Sequence, residues 1–181
     1  MCPPPSSRDL ILDAAEAVVI DVGAAHMTLE AVAAKSGVSK GGLLYHFPTK
    51  QELLEAMLNR CMHRLEEARK EKCSELQEGP SRTLKAYVLS TLDRDSKNDR
   101  INAALLAAVA HDPSLLAPVR DDYLKFLAEL ITAELRFERA AVVAFAADGL
   151  RLLVLLTLSP LNSDQRKQLI QELLRLADEA I

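Results

Sequence analysis

Residues 27–54 carry the sequence MTLEAVAAKSGVSKGGLLYHFPTKQELL, which decides the fold of the first part of the chain. Thr28 stands before a short segment with helical apolar spacing and Gly37 stands after it, so a two-turn helix with a threonine N-cap is predicted. Ser39 can cap a second short helix that ends near Pro48. Two short helices joined by a tight turn with a glycine predict a helix-turn-helix, although a generic helical hairpin has the same spacing.

Further helices are predicted on both sides of this segment. One covers about residues 7–21 and ends at Gly23. Thr49, with a glutamate three residues later, matches a capping box and begins a long helix that Gly79-Pro80 terminates. The remaining helices are predicted at residues 81–94, 100–110, 114–137 and 140–158, and a last one follows a Ser163 cap. The sequence therefore predicts an all-α protein of about nine helices.

The composition agrees with a helical class. The 181 residues include 6 glycines and 49% hydrophobic residues, enough for a helical core, and the formal net charge is −4. A negative net charge does not argue against binding to nucleic acid, because a binding face needs only local positive charge. Residues 28–50 supply a weak local excess, with Lys35, Lys40 and Lys50 against Glu30.

The cysteines indicate a reduced setting. Cys2, Cys61 and Cys73 are odd in number, and the last two lie too far apart on one predicted helix to form a disulfide. A cytoplasmic protein is therefore expected. No second pair of ligands accompanies Cys61 and His63 at a suitable spacing, so no metal site is expected.

The longest apolar stretch favours an interface helix over a membrane span. Residues 140–158 carry Asp148, Gly149 and Arg151 near the middle, where a bilayer would impose a cost of several kcal/mol. The proline-rich first residues do not match a signal peptide. No membrane partner is expected.

The sequence VSKGGLLYHFPTKQELL of residues 38–54 closely resembles the recognition-helix signature of the TetR (tetracycline repressor) family of regulators. The preceding residues 27–37, MTLEAVAAKSG, resemble that family's first helix of the motif at the family's spacing, and the whole resemblance covers about residues 7–58. It implies an N-terminal three-helix helix-turn-helix DNA-binding domain, residues 1–48, followed by a C-terminal helical ligand-binding and dimerisation domain, residues 49–181.

The resemblance also implies which residues contact DNA. The start of the third helix meets the major groove, where Lys40 is the only long donor and two glycines allow close backbone approach. Gly42 replaces the alanine or threonine often found in the family, so sequence readout rests more on Lys40. The residues that follow match phosphate contacts. The expected DNA-binding residues are Thr28, Ser39, Lys40, Gly41, Gly42, Tyr45, His46, Thr49 and Lys50.

Several of these residues also have a purely structural explanation. Thr28 and Thr49 are good N-caps without any DNA, and Tyr45 could simply cover the core. The paired glycines could form a loose turn. On the sequence alone both explanations stay open, whereas Leu43 and Phe47 are expected in the core.

The resemblance implies a homodimer on a double-stranded, palindromic DNA operator. One recognition helix contacts only a few base pairs, and two-fold symmetry doubles the contact. The last two predicted helices are the expected interface, because one is apolar nearly all round and the other has a full apolar stripe.

A small apolar effector is expected among the fourth to eighth helices. Its binding is expected to release the DNA by moving the helix that starts at Thr49. The sequence leaves a repressor and an activator open, and the resemblance favours a repressor because repression is the commoner behaviour in the family. The apolar stripes of these helices supply the candidate wall, although plain core packing explains each residue as well. The candidate wall residues are Leu58, Met62, Leu84, Val88, Leu105, Val109, Phe126 and Leu130.

Two other classes of function fit the sequence less well. An enzyme needs a matched set of catalytic groups, but His26, His46, His63 and His111 are scattered, with no paired carboxylates and no phosphate-binding glycine loop. No enzymatic activity and no cofactor are therefore expected. An adaptor that only binds protein would not need the basic and aromatic residues of the third helix.

Overall fold

The computed structural model describes residues 6–93, 96–130 and 135–179. Within those ranges the chain forms nine α-helices and one 3-10 helix and no β-strand, which confirms the predicted all-α class. The helices are α1 Ser7–His26, α2 Leu29–Ser36, α3 Lys40–His46, α4 Lys50–Glu75, α5 Arg82–Leu92, α6 Ser96–His111, the 3-10 helix Pro113–Leu116, α7 Ala117–Leu130, α8 Phe137–Leu155 and α9 Ser163–Asp178.

Residue contacts divide the chain into two compact units. The first unit consists of Met1–Cys61 and Ser96–Arg120, and the second consists of Met62–Asp95 and Asp121–Ile181. Helices α4 and α7 therefore each contribute residues to both units. The division after residue 48 into a DNA-binding and a ligand-binding part stays a prediction about function.

The core of the first unit is built around α1. Its apolar residues recur every three or four positions, which places one stripe inward, and residues of α2, α3, the first half of α4, and α6 pack against that stripe. Each large side chain buried in this way contributes about 1.5–3 kcal/mol. The large buried side chains include Ile11, Leu12, Val19, Val32, Leu43, Phe47, Leu53, Met57, Ile101 and Leu105.

Gly23 interrupts α1 as the sequence predicts. Its φ of +80° lies in the region that favours glycine, and the backbone there is not helical. One further turn continues to His26 before the chain becomes extended at Met27.

The second unit is built from α5, α8 and α9, which pack against one another, together with the second half of α7. Its buried residues include Leu84, Val88, Phe126, Leu130, Val143, Ala147, Leu150 and Leu173. A polar tie joins α5 to α9. The carboxylate of Asp178 accepts a hydrogen bond from the Ser81 hydroxyl at 2.7 Å and pairs with the Lys85 ammonium at 2.5 Å.

Several helix ends differ from their predicted positions. Asp112 and Pro113 do start a new element, but its first turn is the 3-10 helix, and the described part of α7 reaches Leu130. Residues 131–134 of the predicted 114–137 helix lie outside the described residues.

The last two helices show the same kind of difference. Helix α8 ends at Leu155, before the Ser159-Pro160 stop. The cap of α9 is Asn162 and not Ser163, because the Asn162 side chain accepts the backbone N–H groups of Asp164 and Gln165 in a capping box. Among the described residues no helix is long and apolar enough to cross a membrane.

Candidate functional site

The turn between α2 and α3 is fixed by side-chain caps at both helix starts. Thr28 Oγ1 accepts the Ala31 N–H at 3.1 Å, and Ser39 Oγ accepts the Gly42 N–H at 3.1 Å. Gly37 ends α2 in the left-handed conformation, with φ +70°. These three features are the ones the sequence predicts, and together they hold the two short helices in a helix-turn-helix arrangement.

The exposed face of α3 carries the residues expected to meet DNA. Tyr45 is 84% exposed, so it does not cover the core, and the His46 ring meets it edge-on at 5.3 Å between centroids. Lys40 and Gly41 are exposed as well. The opposite face is anchored by Leu43, which is fully buried.

The two glycines of α3 have different surroundings. A Cβ placed on Gly41 would meet nothing within 4 Å, whereas one placed on Gly42 would lie 3.0 Å from Val38 Cγ1 and 3.2 Å from Ser39 Oγ. The absence of a side chain at Gly42 therefore leaves room for Ser39, the residue that caps α3. Gly41 leaves the backbone open to an approaching molecule.

The one long cation of α3 is paired within the protein. The Lys40 ammonium lies 2.7 Å from the Glu30 carboxylate on α2, and both side chains are exposed. This hydrogen bond lowers the pKa of Glu30 below its usual value. Sequence reasoning counted Glu30 only in the charge balance, and the spacing of ten residues across a turn gave no signal of the pair.

Two expected phosphate contacts also have partners inside the protein. Thr49 Oγ1 accepts the Glu52 N–H at 3.1 Å and so caps α4. The Lys50 ammonium donates to the backbone carbonyl of Ala25 at 2.8 Å, which ties the start of α4 to the end of α1. Their contact with DNA stays a prediction.

Arg8 is a basic residue of this region that sequence reasoning missed. Its guanidinium carbon lies 5.3 Å from the centroid of the Phe47 ring, which follows α3. Arg8 is exposed on the first turn of α1. No motif in the sequence signals this contact, because 39 positions separate the two residues.

A buried carboxylate lies on α1, the helix that packs against α2 and α3. Glu16 of α1 is fully buried, with its Oε1 3.7 Å from Arg60 Nε of α4, and Arg60 also donates to Asp13. The burial of Glu16 has a signal in the sequence, because Glu16 falls on the same apolar stripe of α1 as Leu12 and Val19. A charged residue on such a stripe indicates a partner from another element.

The candidate ligand-wall residues fall into two separate cores. Four of them, Leu84, Val88, Phe126 and Leu130, lie together in the core of the second unit. Leu105 is buried in the core of the first unit, with Leu58 and Val109 half-buried against it. Met62 is half-buried.

A polar and aromatic cluster that sequence reasoning missed lies in the second unit. We call it the Asp148 cluster, and it consists of Arg69, Tyr87, Tyr123, Phe126 and Asp148. Both phenol hydroxyls donate to the Asp148 carboxylate, that of Tyr123 at 3.2 Å. The Tyr87 and Phe126 ring centroids are 5.1 Å apart, and the Arg69 guanidinium lies 3.7 Å from the Phe126 centroid.

The fold and the α2–α3 geometry define a class, that of helix-turn-helix regulators. Comparison with family models matches residues 11–57 to the bacterial regulatory proteins of the tetR family and residues 81–178 to the tetracyclin repressor-like C-terminal domain. The chain belongs to the tetR family of transcriptional regulators.

Characterised relatives match part of the chain. The regulator SrpR of Pseudomonas putida is 40% identical over 60 residues, 33% of this chain and 28% of that protein. The regulator BetI of Serratia proteamaculans is 32% identical over 115 residues, 61% of this chain and 58% of that protein. The matched region thus spans less than two thirds of the curated relatives.

Solved structures match over nearly the whole chain. A TetR-family member from Streptomyces coelicolor A3 is 26% identical with a TM-score of 0.68, covering 93% of this chain and 98% of that one. The multidrug binding protein EbrR in complex with ethidium is 26% identical with a TM-score of 0.65, over the same shares of the two chains.

Proposed function

We propose that the protein is a repressor that binds a palindromic operator as a homodimer through α3 and is released from DNA by a small molecule bound in its C-terminal part. The observation that carries this proposal is the exposed face of α3. Helix α3, whose first turn is capped by the Ser39 side chain, presents Lys40, Gly41 and Tyr45 to solvent, while Leu43 anchors its other side.

The chemistry of that face fits the major groove of DNA. Lysine can donate to the O6 and N7 acceptors of guanine. Lys40 is therefore the expected base-reading residue once its ammonium leaves the Glu30 carboxylate and enters the major groove. The Tyr45 hydroxyl and the His46 imidazole suit phosphate oxygens beside it. Lys50 and the backbone N–H groups at the start of α4 suit a second phosphate.

The exposed surface of α8 supports the proposed dimer. Val142, Phe145, Leu152 and Leu156 are all exposed, and with Gly149 at their centre they repeat every three or four residues along one stripe. A Cβ on Gly149 would meet nothing within 4 Å in the chain. Such a stripe is complementary to itself across a two-fold axis, and the glycine allows two helices to approach closely.

The proposed effector role rests on the C-terminal domain and its structural neighbours. EbrR, which has the same fold, is described as a multidrug binding protein and was crystallised with ethidium, imidazole and malachite green. The corresponding part of this chain holds the four clustered candidate wall residues and the Asp148 cluster. We therefore place effector binding in the second unit.

A gel shift with the DNA that flanks the protein's own gene tests the proposal. We expect a retarded complex that unlabelled flanking DNA competes away and random DNA of equal length does not. The Lys40→Ala variant should retain a complex but lose much of this preference. Equal competition by both DNAs would show that the helix-turn-helix does not read sequence.

A further inference from the structure

The Asp148 cluster joins four helices around one negative charge. Arg69 comes from α4, Tyr87 from α5, Tyr123 and Phe126 from α7, and Asp148 from α8. Burial, followed by the nearby Asp148 charge, raises the pKa of Tyr87 and of Tyr123. Both phenols therefore stay protonated and donate their hydrogen bonds to the Asp148 carboxylate.

The carboxylate can accept more than these two hydrogen bonds. Each Asp148 oxygen receives one phenol, and a carboxylate has about four acceptor positions. The phenols fix its orientation without neutralising it. A half-buried, oriented carboxylate beside aromatic rings attracts a cation.

The cluster already contains a cation on one of its rings. The Arg69 guanidinium carbon lies 3.7 Å from the Phe126 centroid, within the range of a cation–π contact. Burial lowers the pKa of Arg69. Arg69 is nevertheless only half-buried, so its long side chain can turn out to solvent.

We propose that the Asp148 cluster is the effector site and that its ligand is an organic cation with an aliphatic body, which replaces Arg69 on the Phe126 ring. The inference rests on the proposed effector-binding function of the second unit. The ligand's positive group lies against Asp148 and Phe126, and its aliphatic body packs against Leu84, Val88 and Leu130 of the same core.

The exchange of cations has a direct consequence for α4. Arg69 belongs to the helix that runs without interruption from Lys50 to Glu75. Removal of its side chain from Phe126 takes away one of the contacts by which α4 is held in the second unit. The ligand thus acts on the helix that begins directly after the helix-turn-helix.

Calorimetric titration of the full chain tests the ligand class with three probes of equal chain length. Octyltrimethylammonium carries a positive head, octanol a neutral one and octanoate a negative one. We expect the cation to bind about tenfold more tightly than the other two, which is the scale of a partly desolvated cation–π and carboxylate contact. Equal binding by the three probes, or no binding of the cation, overturns the proposal.

Two substitutions test the site, and they act in opposite directions. Asp148→Asn keeps the shape and the acceptor but removes the charge, so the preference for the cation should fall about tenfold. Arg69→Gln removes the internal competitor, so the cation should bind more tightly. A general loss of folding cannot produce tighter binding. An unchanged preference in Asp148→Asn, or no gain in Arg69→Gln, contradicts the assignment.

The controls separate this inference from the proposed function. Asp164→Asn removes a carboxylate of α9 whose side chain is 84% exposed, and it should leave the cation affinity unchanged. A loss of affinity in that variant equal to the loss in Asp148→Asn would overturn the site. Operator binding by the wild type without any probe tests the DNA-binding function alone, and it can hold when the ligand assignment fails.

Discussion

At the scale of single residues, Lys50 has a partner in the protein and a proposed partner on DNA. Its ammonium donates to the Ala25 carbonyl at 2.8 Å. We expect Lys50→Ala to weaken operator and random DNA alike, on the order of tenfold, and to reduce the slope of log affinity against log salt by about one, because one phosphate contact is lost. Fluorescence anisotropy at several salt concentrations measures both quantities.

The matched control for Lys50 is Lys167→Ala on α9, which removes the same charge from an exposed site. It should leave affinity and salt slope near those of the wild type. If the two variants behave alike, Lys50 serves only to tie α4 to the Ala25 carbonyl.

Glu30 restrains the residue expected to read the bases. DNA binding requires Lys40 to leave Glu30, so Glu30→Gln should raise operator affinity, about threefold for an exposed ion pair. A double-mutant cycle with Lys40→Ala provides the check. The gain should disappear in the Lys40→Ala background, and a gain that persists there would assign the effect to the general loss of negative charge.

Gly41 and Gly42 form a natural matched pair. Gly41→Ala adds a methyl group in open space on a helix and should stabilise the protein by up to about 1 kcal/mol, whereas Gly42→Ala, with Val38 Cγ1 at 3.0 Å, should not. Gly41→Ala should nevertheless weaken operator binding, because the methyl group faces the groove. Thermal unfolding and anisotropy together test this. Unchanged DNA affinity in Gly41→Ala would show that the backbone at Gly41 does not approach the DNA closely.

At the scale of helices, Glu16 and Arg60 join α1 to α4 inside the first unit. Removal of one member of a buried charged pair costs about 3 kcal/mol, so Arg60→Met should be strongly destabilising in urea unfolding. The double variant Glu16→Leu with Arg60→Met should recover most of that loss. A double variant as unstable as the single one would show that the charges of the two residues are not coupled.

The ends of the short helices are the part of the fold that the sequence predicts best. The caps Thr28, Ser39 and Thr49 and the left-handed Gly37 are confirmed, because each depends on atoms within three or four positions. Positions that depend on distant residues were not predictable from one sequence.

Four cases illustrate that limit. The partner of Glu16 lies 44 positions away, and Tyr87 meets Asp148 across 61 positions. The sequence predicts the α9 cap one residue late, at Ser163, because both Asn162 and Ser163 are good caps and only the geometry of the incoming loop selects Asn162. Periodicity placed Leu84, Val88, Phe126 and Leu130 inward correctly, but it could not separate a ligand wall from a core.

Gly149 lies at the centre of the exposed α8 stripe. Gly149→Leu should convert the dimer to monomers, because a large side chain prevents close approach of the two helices. Sedimentation velocity measures the outcome. Gly79→Leu adds the same side chain to an open, exposed turn and should stay dimeric. A Gly149→Leu protein that remains dimeric moves the interface away from this stripe.

At the scale of the whole molecule, we propose that two copies of α3 read one palindromic site. The most direct measurement is a hydroxyl-radical footprint of the wild-type protein on the DNA that flanks its own gene. We expect two protected patches related by two-fold sequence symmetry, with centres about one helical turn or a small multiple of a turn apart. A single patch without sequence symmetry, or uniform weak protection along the fragment, would contradict the claim.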